Sequence, residues 1–350
     1  MRYYKIFAIF PIIVLIFSKF AISGDFVKLT ENDKVTLPED MYFKDNFSSQ
    51  WWYFTGHLKS DTGESFGYEL TFFVINVSKN RYKSKFGLNR IYISHFAITD
   101  IDGKKYYFED DTSRGAYGEA FASDKMLNVK VFDDELSGDL NKIYLKANAK
   151  NFKIDFVLKP DKKPLLNGKD GYSNKIFGCP ECASLYFSIT RLDTKGTILI
   201  DDKKYSVTGK SWFDREINSD YETTKLKGWD WFSIMLDDKR EILIYRIRNK
   251  NEAIDKSSYV AIVEKNGEKR ELNFDDIKLT PLKYYVSKKT KSKYPIKWEM
   301  VIENKKLIVE TLVKDQEFLA QNSTFNHYYE GACKVYGDMS GLAYMELTGY

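Results

Sequence analysis

The chain is poor in the residues that announce metal and thiol chemistry: its 350 positions hold three cysteines and three histidines. Cys179 and Cys182 form C-P-E-C and Cys333 stands alone, whereas a structural zinc site takes four Cys or His ligands. His57, His95 and His327 are scattered, with no Cys or carboxylate at ligand spacing, so neither a metal nor a cofactor is expected. A thioredoxin-like role for C-P-E-C needs a βαβ setting. The neighbourhood reads instead as a loop entering a strand, and in an oxidising compartment the two thiols can close a small disulfide. No G-x-S-x-G nucleophile elbow occurs, which removes one route to hydrolysis. Helical periodicity is nearly absent, confined to short pieces around residues 116–123 and 315–321.

The run from Ile6 to Phe17 is shorter than the ~20 apolar residues a membrane-spanning helix needs. Arg2 and Lys5 precede it and the small residues Ala21 and Ser23 follow, the arrangement of a signal peptide cleaved before Gly24. The chain is therefore expected to be exported, to the periplasm or beyond. Losing Arg2, Lys5 and Lys19 and no acid lowers the formal net charge from +4 to +1. Nucleic-acid binding wants a concentrated basic face. The densest basic stretch, Lys283 to Lys297, is interleaved with Tyr284, Tyr285, Tyr294 and Pro295 and reads as a solvated loop.

What the chain has in quantity is aromatic residues: 25 Tyr, 25 Phe and 6 Trp, enough to bury a large core. After residue 47 the pattern alternates with period two and is punctuated by turn dipeptides, the signature of antiparallel hairpins. Phe152, Ile154, Phe156 and Leu158 share one face, and Lys150-Asn151 joins them to a strand over 143–149. Asp102-Gly103, Asn266-Gly267 and Asn304-Lys305 separate three more strand pairs, and Asn-Gly or Asp-Gly suits the twist of two-residue hairpins. Many evenly spaced strands with few helices leave a sandwich or a barrel. A second series of strands begins after residue 216, with no exact internal repeat between the halves.

Five clusters do not look like strand filler. They are SSQWWYFTGHL from Ser48, SHFAITD from Ser94, GKSWFDREI from Gly209, GWDWFSIMLDD from Gly228, and YYEG at Tyr328 with GLAYMELTGY from Gly341. In this order, with Gln316-Glu317 ahead of Tyr329-Glu330-Gly331-Ala332, the chain resembles the AttH/CrtC (carotenoid 1,2-hydratase-like) family over nearly its whole length. The resemblance implies an all-β protein of two lipocalin-like antiparallel barrels, over 24–216 and 217–350. Names in the family include carotenoid 1,2-hydratase, predicted secreted hydrolase, and a component encoded beside an ABC transport system.

The residues themselves point to a site near the middle of the chain. On a strand Asp214 and Glu216 share a face and Arg215 takes the other. The two carboxylates suit an acid of raised pKa and a base of ordinary pKa, and they equally suit an ion network between domains. Trp229 and Trp231 share a face opposite Asp230. With Trp52, Tyr53, Trp212, Tyr245 and Tyr329 they would wall a pocket for a long apolar ligand, with Arg215 beside it. Glu330, after two tyrosines, is a candidate acid. His95 is either a base or a hydrogen-bonded core residue. Two departures from the family pattern matter: Arg215 stands where hydratases tend to carry His, and Gln50 where Glu is frequent. A guanidinium cannot exchange a proton as imidazole does. The chain is thus expected to bind a lipophilic small molecule, a terpenoid, lipid or secondary metabolite, with acid-catalysed hydration as its chemistry. The alternatives are a non-catalytic binding component working with ABC transporter components, and a secreted hydrolase.

Overall fold

The computed structural model describes residues 26–77, 81–84, 87–219, 221 and 226–350; the N-terminal segment and the Ser23–Gly24 junction lie outside them. Twenty-three strands account for nearly all the regular structure. The first sheet holds β1 (Ser49–Ser60), β2 (Ser65–Asn76), β3 (Arg90–Asp100), β4 (Lys105–Ser113), β5 (Ala120–Ala122), β6 (Leu127–Val131), β7 (Asp134–Gly138), β8 (Ile143–Asn148), β9 (Phe152–Pro160), β10 (Leu165–Leu166), β11 (Tyr172–Asn174), β12 (Ala183–Ile200) and β13 (Lys203–Asn218). The second holds β14 (Leu226–Leu236), β15 (Glu241–Asn249), β16 (Tyr259–Val263), β17 (Lys269–Leu272), β18 (Lys278–Val286), β19 (Lys293–Ile302), β20 (Lys305–Thr311), β21 (Glu317–Ala320), β22 (Asn326–Gly337) and β23 (Gly341–Leu347).

Sheet order in the first unit runs β4-β3-β2-β1-β13-β12-β9-β8-β7-β6-β5, curling into a nearly closed barrel. In the second it runs β17-β16-β15-β14-β23-β22-β20-β19-β18, a half-barrel. All pairings are antiparallel, which lets sequence-adjacent strands turn back on short loops. The four turn-linked pairs anticipated from the sequence form as β8–β9, β3–β4, β16–β17 and β19–β20.

Three segments differ from expectation. Residues 116–118 make only a single 3₁₀ turn before β5, and 317–320 form β21 against β22. Phe318 and Ala320 there pack with Ala97 and Tyr328, so a strand pairing and its buried face override a weak helical pattern. The basic stretch 283–297 is also no loop: it is the β18–β19 hairpin, whose inward residues Tyr294, Ile296 and Trp298 enter the core of the second unit.

Each barrel has its own apolar interior, because alternate residues on each strand point inward. Phe54 stacks on Phe213 at 4.4 Å in the first and Phe232 meets Trp298 edge-on at 5.5 Å in the second. Arg215 is also inside the first barrel. Its guanidinium lies 3.9 Å over Trp52 and donates to the carbonyls of Asp40 and Tyr42 and to Gln50 Oε1. It therefore does not stand beside the aromatic pocket where the sequence placed it, and it turns away from Asp214 and Glu216 as period two requires. Gln50 is thus one of the groups that hold the guanidinium. A third apolar cluster fills the seam between the units, formed by outward residues of both sheets. Gly67 allows that approach: a Cβ there would meet the Cβ of Ala332 at 2.6 Å.

Candidate functional site

The seam is where buried chemistry collects. Outward positions of β1 to β4 supply Tyr53, Glu69, Thr71, His95 and Tyr106, and those of β22, β23 and β14 supply Tyr328, Glu330, Tyr344, Glu346, Trp229 and Trp231. The odd-numbered residues of β2 and the even-numbered ones of β22 and β23 share the outward face by period two.

Three glutamates meet in this layer. Glu330 and Glu346 are direct cross-strand partners, an arrangement that repels when both are ionised. No Lys or Arg among the described residues forms an ion pair with Glu69, Glu330 or Glu346. Tyr53 donates to Glu330 Oε2 at 3.0 Å, Thr71 donates to Glu69 Oε1, and Trp229 Nε1 donates to Glu346 Oε1 at 3.1 Å. Glu69 Oε2, Glu330 Oε1 and the hydroxyls of Tyr106 and Tyr344 are buried with no hydrogen-bond partner.

Burial dominates the protonation of this group. It pushes Glu330 well above the usual carboxylate range, with Glu346 and Glu69 adding repulsion. Burial likewise raises Glu69 far above its ordinary value, and lifts Glu346 to about 8 against the Trp229 hydrogen bond. An unpaired buried carboxyl takes a proton because the charged form cannot be solvated. At neutral pH the cluster is a set of carboxylic acids, able to donate.

A second polar group continues along the seam. Asp214 accepts from Tyr186 Oη and Trp212 Nε1, both at 2.6 Å, and burial raises it to about 7. Tyr186 Oη in turn accepts from Trp231 Nε1 at 3.1 Å. Trp231 stands edge-on to Tyr53 at 5.2 Å and to Trp212 at 6.1 Å. An aromatic wall thus connects the Glu330 cluster to Asp214. Beyond it Glu216 pairs with Lys175 at 2.7 Å and accepts from Ser184 at 2.6 Å. Lys175 Nζ lies 4.7 Å over the rings of both Tyr186 and Tyr245.

Lys175 comes from a strap between β10 and β12 that covers this end. Ser173 bonds Tyr245 at 2.8 Å, Phe177 N–H donates to Asp255, and Ser257 donates to Asn174. Cys179 and Cys182 are disulfide-bonded at its turn, and Lys175 N–H donates to the Cys182 carbonyl at 2.7 Å. Two surface hollows, of about 360 and 370 Å³, lie away from the seam, one beside Arg90 and Tyr117 and one beside Arg240 and Met339.

Of the residues singled out by sequence, Tyr53, Trp212, Asp214, Glu216, Trp229, Trp231, Tyr245 and Glu330 are brought to the seam. His95 is at its far end, with Nδ1 2.6 Å from Tyr328 Oη and Nε2 2.8 Å from Ser323 Oγ, which donates to Asp110. Burial lowers its pKa to about 3, so it is a neutral, fully engaged ring. Trp52 and Arg215 face the first barrel's interior. Asp230 and Tyr329 face the second's. Asp230 is held by Arg246 Nη2 at 2.7 Å, Arg248 Nε at 3.4 Å and Tyr350 Oη at 2.6 Å, and Tyr329 bonds Thr311. These four do not reach the seam, because period two turns them from neighbours that do.

Glu69, Tyr106, Lys175, Tyr186, Tyr344 and Glu346 were not singled out as candidates. Glu69 carried a readable signal: one carboxylate at an outward position within the apolar run FGYELTFFV. Glu346 was quoted within its motif but without a role. Lys175 had none, because a strap residue meets its partner only in three dimensions.

The sequence matches the AttH-like family over residues 28–350. It is similar at 29% identity to a protein from Nitrosomonas europaea whose crystal structure was assigned to AttH, with a TM-score of 0.84 over 93% of this chain and 99% of that one. The fold is shared with kievitone hydratase from Nectria haematococca, at 15% identity and a TM-score of 0.71 over 93% of this chain and 96% of that one. It is shared too with CghA solved with Sch210972, at 9% identity and a TM-score of 0.59 over 94% and 97%. No curated protein matches the sequence.

Proposed function

The chain belongs to the AttH-like family, and from that premise we propose that its seam takes a lipophilic small molecule and adds water to it, with Glu330 as the proton donor. One observation carries the reading. Glu69 and Glu330 each present a buried carboxyl oxygen with no partner, in a layer without a cation. Buried polar atoms are rarely left unsatisfied, and a protonated carboxyl beside aromatic faces is suited to deliver a proton to an alkene. The O–H bond of Glu330 breaks as a C–H bond forms, leaving a carbocation that the faces of Tyr53 and Trp231 stabilise. Water adds to the cation, and its surplus proton returns to the ionised Glu330, so the acid is regenerated. Hydration is what the kievitone hydratase is named for, but at that identity only the fold is shared, and fold does not carry function. The reading rests on the carboxyls.

The apolar and aromatic filling of the seam favours a second reading, a binding protein with no chemistry, which could serve ABC transporter components. Both readings place the chain outside the cytoplasm, through cleavage between Ser23 and Gly24; the disulfide in the strap is consistent with an oxidising compartment. N-terminal sequencing of exported protein tests that placement, and a chain retaining Met1 in the cytoplasm overturns it. For the chemistry, the molecules that co-purify are extracted, identified by mass spectrometry and returned to the protein in ¹⁸O-labelled water. A product heavier by one labelled water, absent with Glu330→Gln, supports hydration. Retention of the ligand without label by the unaltered protein supports the binding reading.

A further inference from the structure

The stretch first read as a solvated loop is an edge hairpin with an unusual surface. Residues 278–297 contain seven lysines and no acid, in a chain whose remaining charge is close to balanced. β18 ends the second sheet, paired with β19 on one side only. Because Tyr294, Ile296 and Trp298 point inward, the opposite face of the hairpin is turned to solvent. Two bulges in β18 bring Lys283, Tyr284 and Val286 opposite Lys297, Pro295 and Lys293 on that face. Leu282, Tyr284 and Val286 are 48%, 46% and 53% exposed, a row of apolar side chains on an uncovered edge.

The rings on this face carry cations. Lys293 Nζ lies 4.5 Å over Tyr284, and Lys297 and Lys334 lie 5.7 Å and 5.2 Å over Tyr336 on β22, across β20 from the hairpin. The acids bordering them, Glu310 and Glu299, are taken up by Lys297, Lys334 and Lys306. Lys278, Lys283, Lys288, Lys289 and Lys293 form no ion pair with any described residue, and Lys288, Lys289 and Lys291 crown the turn between the two strands. Exposed edges are commonly protected by charge, proline and bulges, and β18 has all three in its lysines, Pro281 and two bulges. Here charge is combined with apolar and aromatic side chains, as where proteins rest on lipid headgroups.

We propose that the β18–β19 hairpin docks the protein on an anionic lipid surface, with the lysines against headgroup phosphates and Leu282, Tyr284 and Val286 in the interfacial layer. Like charges grouped on a near-neutral protein need an anionic partner, and the apolar row selects a lipid surface over a soluble polyanion. The docking is independent of the seam chemistry and would bring a binder of lipophilic molecules to where they dissolve.

The test is co-sedimentation of the full chain with vesicles of phosphatidylcholine alone and with added phosphatidylglycerol, reading the ratio of the two affinities. That ratio removes any apolar N-terminal contribution, and the part contributed by Arg2, Lys5 and Lys19 is common to the unaltered protein and the variants, so the difference between them reads the hairpin. Each lysine near such a surface is worth about fivefold, so Lys283→Glu with Lys293→Glu should lower the ratio by roughly 25-fold or more, and added salt should lower it too. Tyr284→Ser with Val286→Ser should weaken binding to anionic vesicles by about tenfold or more. Both variants alter exposed residues and should melt with the unaltered protein, which separates lost docking from lost fold. No preference for anionic vesicles, or a preference that survives both pairs of substitutions, overturns the proposal. So does a dimer that dissociates on Tyr284→Ser with Val286→Ser, since the edge would then be an interface between copies of this chain.

Discussion

Two buried acids of the same sheet, Asp230 on β14 and Glu330 on β22, are held in opposite ways. Asp230, inside the second barrel, is surrounded by Arg246, Arg248 and Tyr350, and the two guanidinium groups lie over Trp298 and Tyr350 in turn. Glu330, on the outward face of the same sheet, has one tyrosine donor, one unpartnered oxygen and two neighbouring glutamates. The first environment fixes a charge and the second refuses it. Burial alone therefore does not mark a functional carboxyl: what marks it is burial without a cation, where a proton substitutes for the missing partner.

Removing the charge should separate them. Asp230→Asn strands two buried cations and should cost about 3 to 5 kcal/mol, a large share of the ~5 to 15 kcal/mol typical of a whole domain; thermal melting reads it. A melting temperature unchanged by Asp230→Asn would break the comparison at its firmer end. Glu330→Gln should barely move the melting temperature, since the amide is isosteric with the neutral acid already present, yet it should lower turnover by roughly 10²- to 10⁴-fold. Equal losses of stability in the two variants would show that Glu330 is structural.

The pH dependence sharpens the same contrast. Glu346 is raised to about 8 and Asp214 to about 7 in the folded chain, above the ~4 of unfolded carboxylates. The folded state therefore binds protons more tightly than the unfolded state. Their stabilisation is complete below pH ~4 and is lost as pH rises through 7 and 8. Melting temperature should fall between pH 5 and 8, and Glu346→Gln should flatten that slope. The smallest effect belongs to the surface. Lys146 and Asp155 are 3.7 Å apart and more than half exposed, and Lys146→Ala should shift stability by no more than ~0.5 kcal/mol, measured by denaturant titration.

The alternation of apolar residues made the hairpins legible, because one-sided burial imposes period two wherever a strand covers a core. The same rule separated Asp214 and Glu216 from Arg215. It gave no sign of which barrel or seam each face would meet, and so Arg215 was placed beside the ligand pocket when its face turns to Trp52. The segment around Gln316 looked helical from a short pattern. It leads into strand β21 (Glu317–Ala320), and Gln316 just before the strand bridges the units, accepting from Thr99 Oγ1 at 2.6 Å and donating to Val313 O at 2.7 Å. The β18–β19 hairpin hid for a different reason: its lysines mask the alternation, since a two-faced strand with a basic outer side has the composition of a loop. That Glu69 lies near enough to Glu330 to repel it could not be read locally, because their strands are far apart in the chain.

One pairing bears on how such a chain comes into being. β1 is a central strand of the first sheet, yet its second neighbour is β13, in register from Ser49 with Asn218 to Ser60 with Val207. Well over a hundred residues must be synthesised before that neighbour exists, and pairings of such sequence separation are slow to form. Until then one edge of β1, with Trp51 and Trp52 in it, stays unsatisfied. A polypeptide in that condition is an open substrate for chaperones, and the first barrel can close only once β13 has joined β1.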